Sequence, residues 1–398
     1  MIKVMSSTAF SNSNPVPLSG NFRRQFPMTS NRVSVPRSLG VTSKDGFRWA
    51  NSEEGAISTS NSSLSLTPNF ILPVERRPDL DQVYKSGIPL IDMSKEDTST
   101  LIEEIARASE EYGLFLISNH GISQELCEEM LSAVIDLFHL PPQAKSVLVS
   151  DDPTKEVRIS NHYRKVEDNG SKKGNKFSMW SEVFKHPWHP TNDTFTGLLP
   201  SDPLNYRNVV TRYAKEMGVL MSHLLSLMSQ GLGLESDYLL KVLGENPLCR
   251  AQANYYPPCT NPDLTLGLGV HTDRDALTVV LPSPDVEGLQ IMKDNKWIAV
   301  NPVPNALVVN LGDQLQVLSN GRYKSVVHRV VTNEHQSRAS LALFYGPDKD
   351  ALIGPIKSLT DEQRPPIYRH YYFREFLEEF RNQEGKNRKV KEAFEIQR

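Results

Sequence analysis

Cysteine is scarce. Three occur in 398 residues, Cys127, Cys249 and Cys259, an odd number without C-x-x-C spacing. That argues against a disulfide framework and a thiolate metal site, and for a reducing compartment. No run of 18 apolar residues occurs, so nothing reads as a membrane span. Net charge is also slight: 44 Lys and Arg against 47 Asp and Glu leave −3. No basic field exists to favour nucleic acid or an acidic membrane surface, and a small, weakly charged partner fits better. Acidic residues are missing altogether between Met1 and Ser43, where Lys3, Arg23, Arg24, Arg32 and Arg37 stand among Ser, Asn and Pro. A plastid or mitochondrial transit peptide has this profile, and so does a tail without an address. Residues 1–65 are therefore expected to be a disordered leader outside the fold, in a cytoplasmic protein or, if the leader is an address, a plastid one.

What remains is ordinary globular composition, 38% hydrophobic and 23% charged, enough for a large core in one big catalytic unit or two smaller ones. Ile88–Asp92 reads as a short strand, with Ser94 available to cap a helix over 98–112 whose Leu101, Ile102, Ile105 and Ala108 recur at helical spacing. Leu114–Ser118 reads as a buried strand stopped by Asn119-His120-Gly121, and 124–139 as a second helix ending before Pro141-Pro142. His120, beside a glycine at a strand end, is read as a turn residue rather than a ligand.

Residues 150–190 look irregular, with a polar Lys-rich run from Asp168 to Lys176 and then Phe177, Trp180, Phe184 and Trp188. A long aromatic loop in a compact domain suggests a lid or binding loop, although packing on the core accounts for any single ring as well. A long helix over 205–232 and a short one over 238–243 follow. From Cys249 to about Gly346, short strand-like runs alternate with turns, as in a sandwich or jelly roll. These include 251–256, 277–281, 289–292, 297–300, 306–310, 323–331 and 339–345. Helix returns around 374–381. The expected organisation is a helical and strand region over 66–245, a catalytic core over 246–350 and a helical tail over 351–398.

One constellation stands out. His271-Thr272-Asp273 places an imidazole and a carboxylate two residues apart, on one face if the segment is extended. With His328 in a later strand-like run, they make up the two-histidine, one-carboxylate set that suits non-haem Fe(II) and leaves positions open for ligands. Zinc accepts the same donors. Arg338 and Ser340, on one face of the next strand, favour iron, because a guanidinium fork and a hydroxyl could clamp one end of a dicarboxylate such as 2-oxoglutarate while its keto acid reaches the metal. Arg338 alone would be read as an ion-pair residue.

Asn254-Tyr255-Tyr256-Pro257-Pro258-Cys259, His271-Thr272-Asp273, Asn310-Leu311-Gly312-Asp313, Tyr323-Lys324-Ser325-Val326 before His328-Arg329, and Arg338-Ala339-Ser340 together resemble the plant iron(II)- and 2-oxoglutarate-dependent dioxygenases. The similarity covers roughly residues 65 to 390. It implies an α+β fold, a double-stranded β-helix (jelly-roll) core with flanking helices. It also implies Fe(II) held by His271, Asp273 and His328, and 2-oxoglutarate held by Arg338 and Ser340 with Asn254 and Tyr256 assisting. O2 would be consumed, succinate and CO2 released, and ascorbate would serve as reductant. Phe70–Pro73 with Glu75–Pro78, and Ser150–Lys155, look most like the branch of downy-mildew-resistance and salicylate 5-hydroxylases, flavanone and flavone oxygenases and hyoscyamine hydroxylases. Arg274-Asp275 and the long leader depart from that branch. The expected protein is a monomer hydroxylating or desaturating a phenolic or flavonoid, with an alkaloid or terpenoid hormone second. Phe177, Trp180, Phe184 and Phe344 are the expected substrate contacts. A binding protein that keeps the fold without turnover, or an oxidase with another co-reductant, stays open at this point.

Overall fold

The computed structural model of the protein describes residues 66–85, 87–166, 175–383 and 390–397. The expected leader, and the Lys-rich run between Asp168 and Gly174, lie outside them. Two short strands, β1 (Val83–Tyr84) and β2 (Leu90–Asp92), precede helix α1 (Thr98–Glu111). The cap of α1 is Asp97, whose carboxylate accepts from Ser99 N and satisfies an otherwise orphan amide. Ser94, the expected cap, instead donates to Asp92 Oδ1 at 2.8 Å. Gly113, at φ +67, turns the chain out of α1. Strand β3 (Leu114–Ser118), helix α2 (Gln124–Phe138) and a short α3 (Pro142–Ser146) follow.

The stretch read as an irregular aromatic loop is largely a hairpin, β4 (Arg158–Val166) and β5 (Asn175–Pro187). β5 hides from a period-two reading because both its faces are apolar: Met179 and Val183 on one side, Trp180 and Phe184 on the other, all buried. Helices α4 (Tyr206–Gly231) and α5 (Tyr238–Leu243) lead into eight strands. These are β6 (Leu248–Tyr256), β7 (Leu268–His271), β8 (Leu277–Pro282), β9 (Leu289–Lys293), β10 (Lys296–Ala299), β11 (Leu307–Leu311), β12 (His328–Val330) and β13 (Arg338–Gly346). A short helix α6 (Asp313–Leu318) lies between β11 and β12, and β14 (Leu352–Ile353), β15 (Tyr371–Tyr372) and α7 (Phe373–Asn382) follow β13. The expected strand over 323–331 shrinks to β12 because side chains of α6 and its cap take the preceding amides. Tyr323 N donates to Ser319 Oγ at 3.0 Å and Ser325 N to Gln316 Oε1 at 2.8 Å.

The major sheet runs β2-β3-β11-β8-β13-β6-β5-β4 and the minor one β1-β10-β9-β12-β7. The strands from β6 to β13 thus divide four and four, the pattern of a jelly roll with helices against one face. Strand β3 shows how the layers are filled. Phe115 and Ile117 join the large cluster shared with α1, α2 and α4, while Leu114 and Leu116 turn inward to meet Ile291, Ile298 and Val330 of the minor sheet. Strands on both sides of residue 245 share the major sheet, and the described residues fall in one compact unit.

Candidate active site

β7 and β12 are antiparallel neighbours whose register sets His271 directly opposite His328. Opposed residues of an antiparallel pair share a face, and the two imidazole centroids stand 4.1 Å apart. Asp273 does not share a strand with His271 as the spacing suggested, because β7 ends at His271. It lies in the turn just beyond, held by Asp313 N donating to its carbonyl oxygen at 2.8 Å and by Asn310 Nδ2, 3.4 Å from Oδ2. Its Oδ1 is 3.8 Å from His271 Nε2 and 3.7 Å from His328 Nε2. Among the described residues this is the one His/Cys/Asp/Glu group gathered closely enough to hold a metal, with ligand atoms all within 4.8 Å of each other.

The ring orientations agree with that use. His271 Nδ1 lies 2.8 Å from Gly269 O, and His328 Nδ1 lies 3.1 Å from Val326 O. A carbonyl oxygen can only accept, so each Nδ1 donates a proton and each Nε2 is the nitrogen turned toward Asp273. Backbone acceptors that orient a ligating imidazole in this way are the usual support of a metal site. Two neutral imidazoles and one carboxylate with open positions suit Fe(II).

Arg338 and Ser340 open strand β13 on its inner face, opposite Tyr256 and Asn254 of β6. Asn254 Nδ2 lies 3.4 Å from Ser340 Oγ, and the Arg338 guanidinium sits 5.3 Å from the Tyr256 ring centroid. Arg338 is 6% exposed, its Nε has no hydrogen-bond partner among the described residues, and no described carboxylate pairs with it. Desolvation pulls its pKa below the ordinary arginine value. A buried guanidinium without an anion is costly, so this corner lacks an anionic complement. Burial also raises the Tyr256 phenol, against the pull of Arg338 and Ser340, which keeps its hydroxyl protonated as a donor.

A cavity of about 580 Å³ opens onto His271 and Thr272. Its walls include Leu72, Met179, Leu266, Trp297, Arg329 and Lys391, and its size suits a drug-sized molecule. None of the four expected aromatic contacts lines it. Phe177 packs with the wall residues Leu72, Met179 and Leu266. Trp180 and Phe184 lie on the opposite face of β5. Trp180 meets Phe70 edge-on at 5.1 Å and donates to Pro257 O at 3.0 Å, while Phe184 is fully buried against Tyr206. Phe344 lies on the inner face of β13 with Arg338 and Ser340, beneath the Arg250 guanidinium. His120 is outside the metal group, its Nδ1 accepting from Ile122 N at 3.3 Å.

Sequence reasoning missed Arg329, Trp297 and Lys391. Arg329 stacks over Trp297 at 4.0 Å, and its place directly after His328 was the one available signal. Lys391 falls in a charged tail that offered none.

A jelly roll carrying this donor set, with Arg338 and Ser340 buried on its inner face, fits a non-haem iron oxygenase that uses a keto-acid cosubstrate. Residues 249–347 match the 2OG-Fe(II) oxygenase superfamily model, and residues 88–209 match the model of the non-haem dioxygenase in morphine synthesis N-terminal region. The chain is 39% identical over 328 residues to Protein DOWNY MILDEW RESISTANCE 6 of Arabidopsis thaliana, covering 81% of this chain and 94% of that protein. It is 37% identical over 312 residues to Flavanone 3-dioxygenase 2 of Oryza sativa subsp. japonica, covering 78% and 89%. A crystal structure of JOX2 in complex with 2OG, Fe and JA superposes with a TM-score of 0.74 at 33% identity, covering 85% of this chain and 96% of that one. The chain belongs to the 2OG-Fe(II) oxygenase superfamily and is a dioxygenase dependent on Fe(II) and 2-oxoglutarate. No helix among the described residues is long and apolar enough to cross a membrane.

Proposed function

We propose that the protein hydroxylates, or desaturates, a small phenolic or flavonoid metabolite, with Fe(II) held by His271, Asp273 and His328. The cosubstrate 2-oxoglutarate is held by Arg338 and Ser340, Asn254 and Tyr256 assisting, and ascorbate keeps the metal reduced. The observation that carries the reading is the pairing of two Nε2-presenting imidazoles and Asp273 with a buried Arg338 that has no carboxylate of its own. When bound, the metal supplies oxygen activation coupled to oxidative loss of CO2 from the keto acid. The chain's own contribution is placement. Gly269 O and Val326 O fix the imidazoles, Arg338 and Ser340 fix the cosubstrate's far end, and the cavity walls exclude water from the bound substrate.

Similarity to a flavanone dioxygenase and the apolar wall residues Leu72, Met179, Leu266 and Trp297 favour a ring-bearing substrate. The test is anaerobic titration of the full chain with Fe(II) and 2-oxoglutarate, then oxygen and a panel of flavanones, salicylate and alkaloids, with succinate and product read by mass spectrometry. Succinate formed in step with one product supports the reading. Full activity in His271→Ala or Asp273→Ala would sink it.

A further inference from the structure

Helix α6 is only six residues long, yet its side chains reach the backbone of both chain segments that carry the candidate metal ligands. Gln314 is wholly buried, and its Nε2 donates to Arg274 O, the carbonyl just after Asp273, at 2.7 Å. Gln316 reaches the other way. Its Oε1 accepts from Ser325 N at 2.8 Å, one residue before Val326, whose carbonyl orients the His328 ring at 3.1 Å. The main chain of α6 strengthens the first arm, with Asp313 N donating to Asp273 O at 2.8 Å and Gln314 N to Asp275 O at 3.3 Å.

These partners settle which way each amide points. A backbone carbonyl only accepts and a backbone N–H only donates, so Gln314 must turn its NH2 to Arg274 and Gln316 its oxygen to Ser325. The opposite end of each amide is used as well. The Tyr371 hydroxyl donates to Gln314 Oε1 at 2.9 Å, and Gln316 Nε2 donates to the Tyr368 hydroxyl oxygen at 2.8 Å. Each glutamine is thus pinned at both ends and acts as a spacer of set length. Neither lines the cavity and neither belongs to the ligand group.

We propose that Gln314 and Gln316 are positioning residues for the iron: α6 grips the Asp273 arm with a donor and the His328 arm with an acceptor, and so sets the separation of the ligand atoms. This rests on the reading of His271, Asp273 and His328 as an Fe(II) site and extends it to the residues behind them. Partners that orient ligands from behind typically cost about tenfold to a hundredfold in metal affinity when removed. The opposite polarity of the two contacts makes the role specific. Glutamate in place of glutamine loses the donor and keeps the acceptor. At 314 it sets an oxygen against Arg274 O. At 316 it still accepts from Ser325 N, and its second oxygen accepts from the Tyr368 hydroxyl.

The experiment is anaerobic Fe(II) titration of the full chain and of Gln314→Glu, Gln314→Leu, Gln316→Glu and Gln316→Leu, at a temperature where circular dichroism shows each to be folded. Addition of 2-oxoglutarate then gives the visible charge-transfer band of the metal and keto acid, which reports ligand geometry. Gln314→Glu, Gln314→Leu and Gln316→Leu should weaken Fe(II) binding about tenfold to a hundredfold and shift the band. Gln316→Glu should match the wild type in both. A merely structural role would lower the melting temperature and leave the affinity and band of the folded protein alone. If the Gln314 variants do not fold, the two Gln316 variants decide the matter. Wild-type affinity and band in Gln316→Leu, or equal damage from glutamate at both positions, would overturn the proposal. A wild-type chain that binds no Fe(II) would remove the metal site and the positioning role together, whereas wild-type binding with unaltered variants would remove the positioning role alone.

Discussion

Lys391 Nζ donates to Asp313 Oδ1 at 2.9 Å, and the other oxygen of the same carboxylate takes Thr272 Oγ1 at 3.3 Å. The last described segment of the chain is thereby tied to the turn between His271 and Asp273. Lys391→Ala would leave Asp313, whose side chain is only 4% exposed, without its cation. A loss of about 2 kcal/mol is expected, together with weaker Fe(II) binding, both restored by Lys391→Arg. Urea denaturation with and without Fe(II) measures both. Unchanged stability and metal affinity would remove the tie from the account of the site.

Gly312 sits where no side chain fits. A Cβ there would lie 2.0 Å from Asp275 O and 3.1 Å from Asp273 O, both backbone atoms that cannot swing aside. Gly312→Ala should therefore displace the turn carrying Asp273, costing about 3 kcal/mol or more. Fe(II) affinity should fall with stability, whereas a variant that kept the wild-type melting temperature would show that the turn has slack.

Arg338→Lys keeps the charge and discards the fork. If Arg338 grips a carboxylate, the Kd for 2-oxoglutarate should rise on the order of tenfold to a hundredfold, with Fe(II) affinity little changed. Titration of 2-oxoglutarate into anaerobic protein reads this directly. A lysine variant with wild-type affinity would place the cosubstrate elsewhere.

Glu182 and Lys145 form a buried pair at 3.1 Å, away from the metal-ligand group. Burial pushes the Glu182 carboxyl up to about 7 from 4.5, against the opposing pull of Lys145. The folded protein thus keeps this proton to higher pH than the unfolded chain does. Stability should fall as pH rises from about 4.5 to about 7, by at most about 1.4 kcal/mol per unit. Glu182→Gln should flatten that slope in denaturation curves taken between pH 5 and 8; a variant slope equal to the wild type would clear Glu182 of the effect.

Phe184 is fully buried and outside the cavity. Phe184→Ala should cost about 3–5 kcal/mol and leave the ranking of substrates intact. A changed ranking, read from product ratios in a mixed-substrate assay, would mean that the outer face of β5 communicates with the site.

Elements whose local signals agree with their surroundings were legible in the sequence. Leu114–Ser118 is a buried strand with the bounds its apolar run suggests, and α4 follows the spacing of Val209, Tyr213, Met217 and Met228. The candidate metal and cosubstrate residues could be picked out because chemistry restricts their types; the structure brings His271, Asp273 and His328 together and sets Arg338 and Ser340 opposite Tyr256 and Asn254. Legibility failed where one residue's role depends on a distant partner. β7 is four residues long with a glycine inside it, too short for a pattern, and exists as a strand through β12. Trp180 and Phe184 carry the same aromatic label as a substrate contact, and the register against β6 alone tells which face they take. Lys391 meets Asp313 across 78 positions of sequence.

The edge position of β7 links metal binding to stability. Among the described residues that strand is hydrogen-bonded into the minor sheet only by β12, and His271 at its end faces His328 across the pair. An ion held by these residues and Asp273 would fasten the edge to the sheet, and at one hundred times its Kd would add about 2.7 kcal/mol to the folded state. Removing it should make β7 the first strand to fray, read as faster amide exchange over Leu268–His271 than in the neighbouring strands.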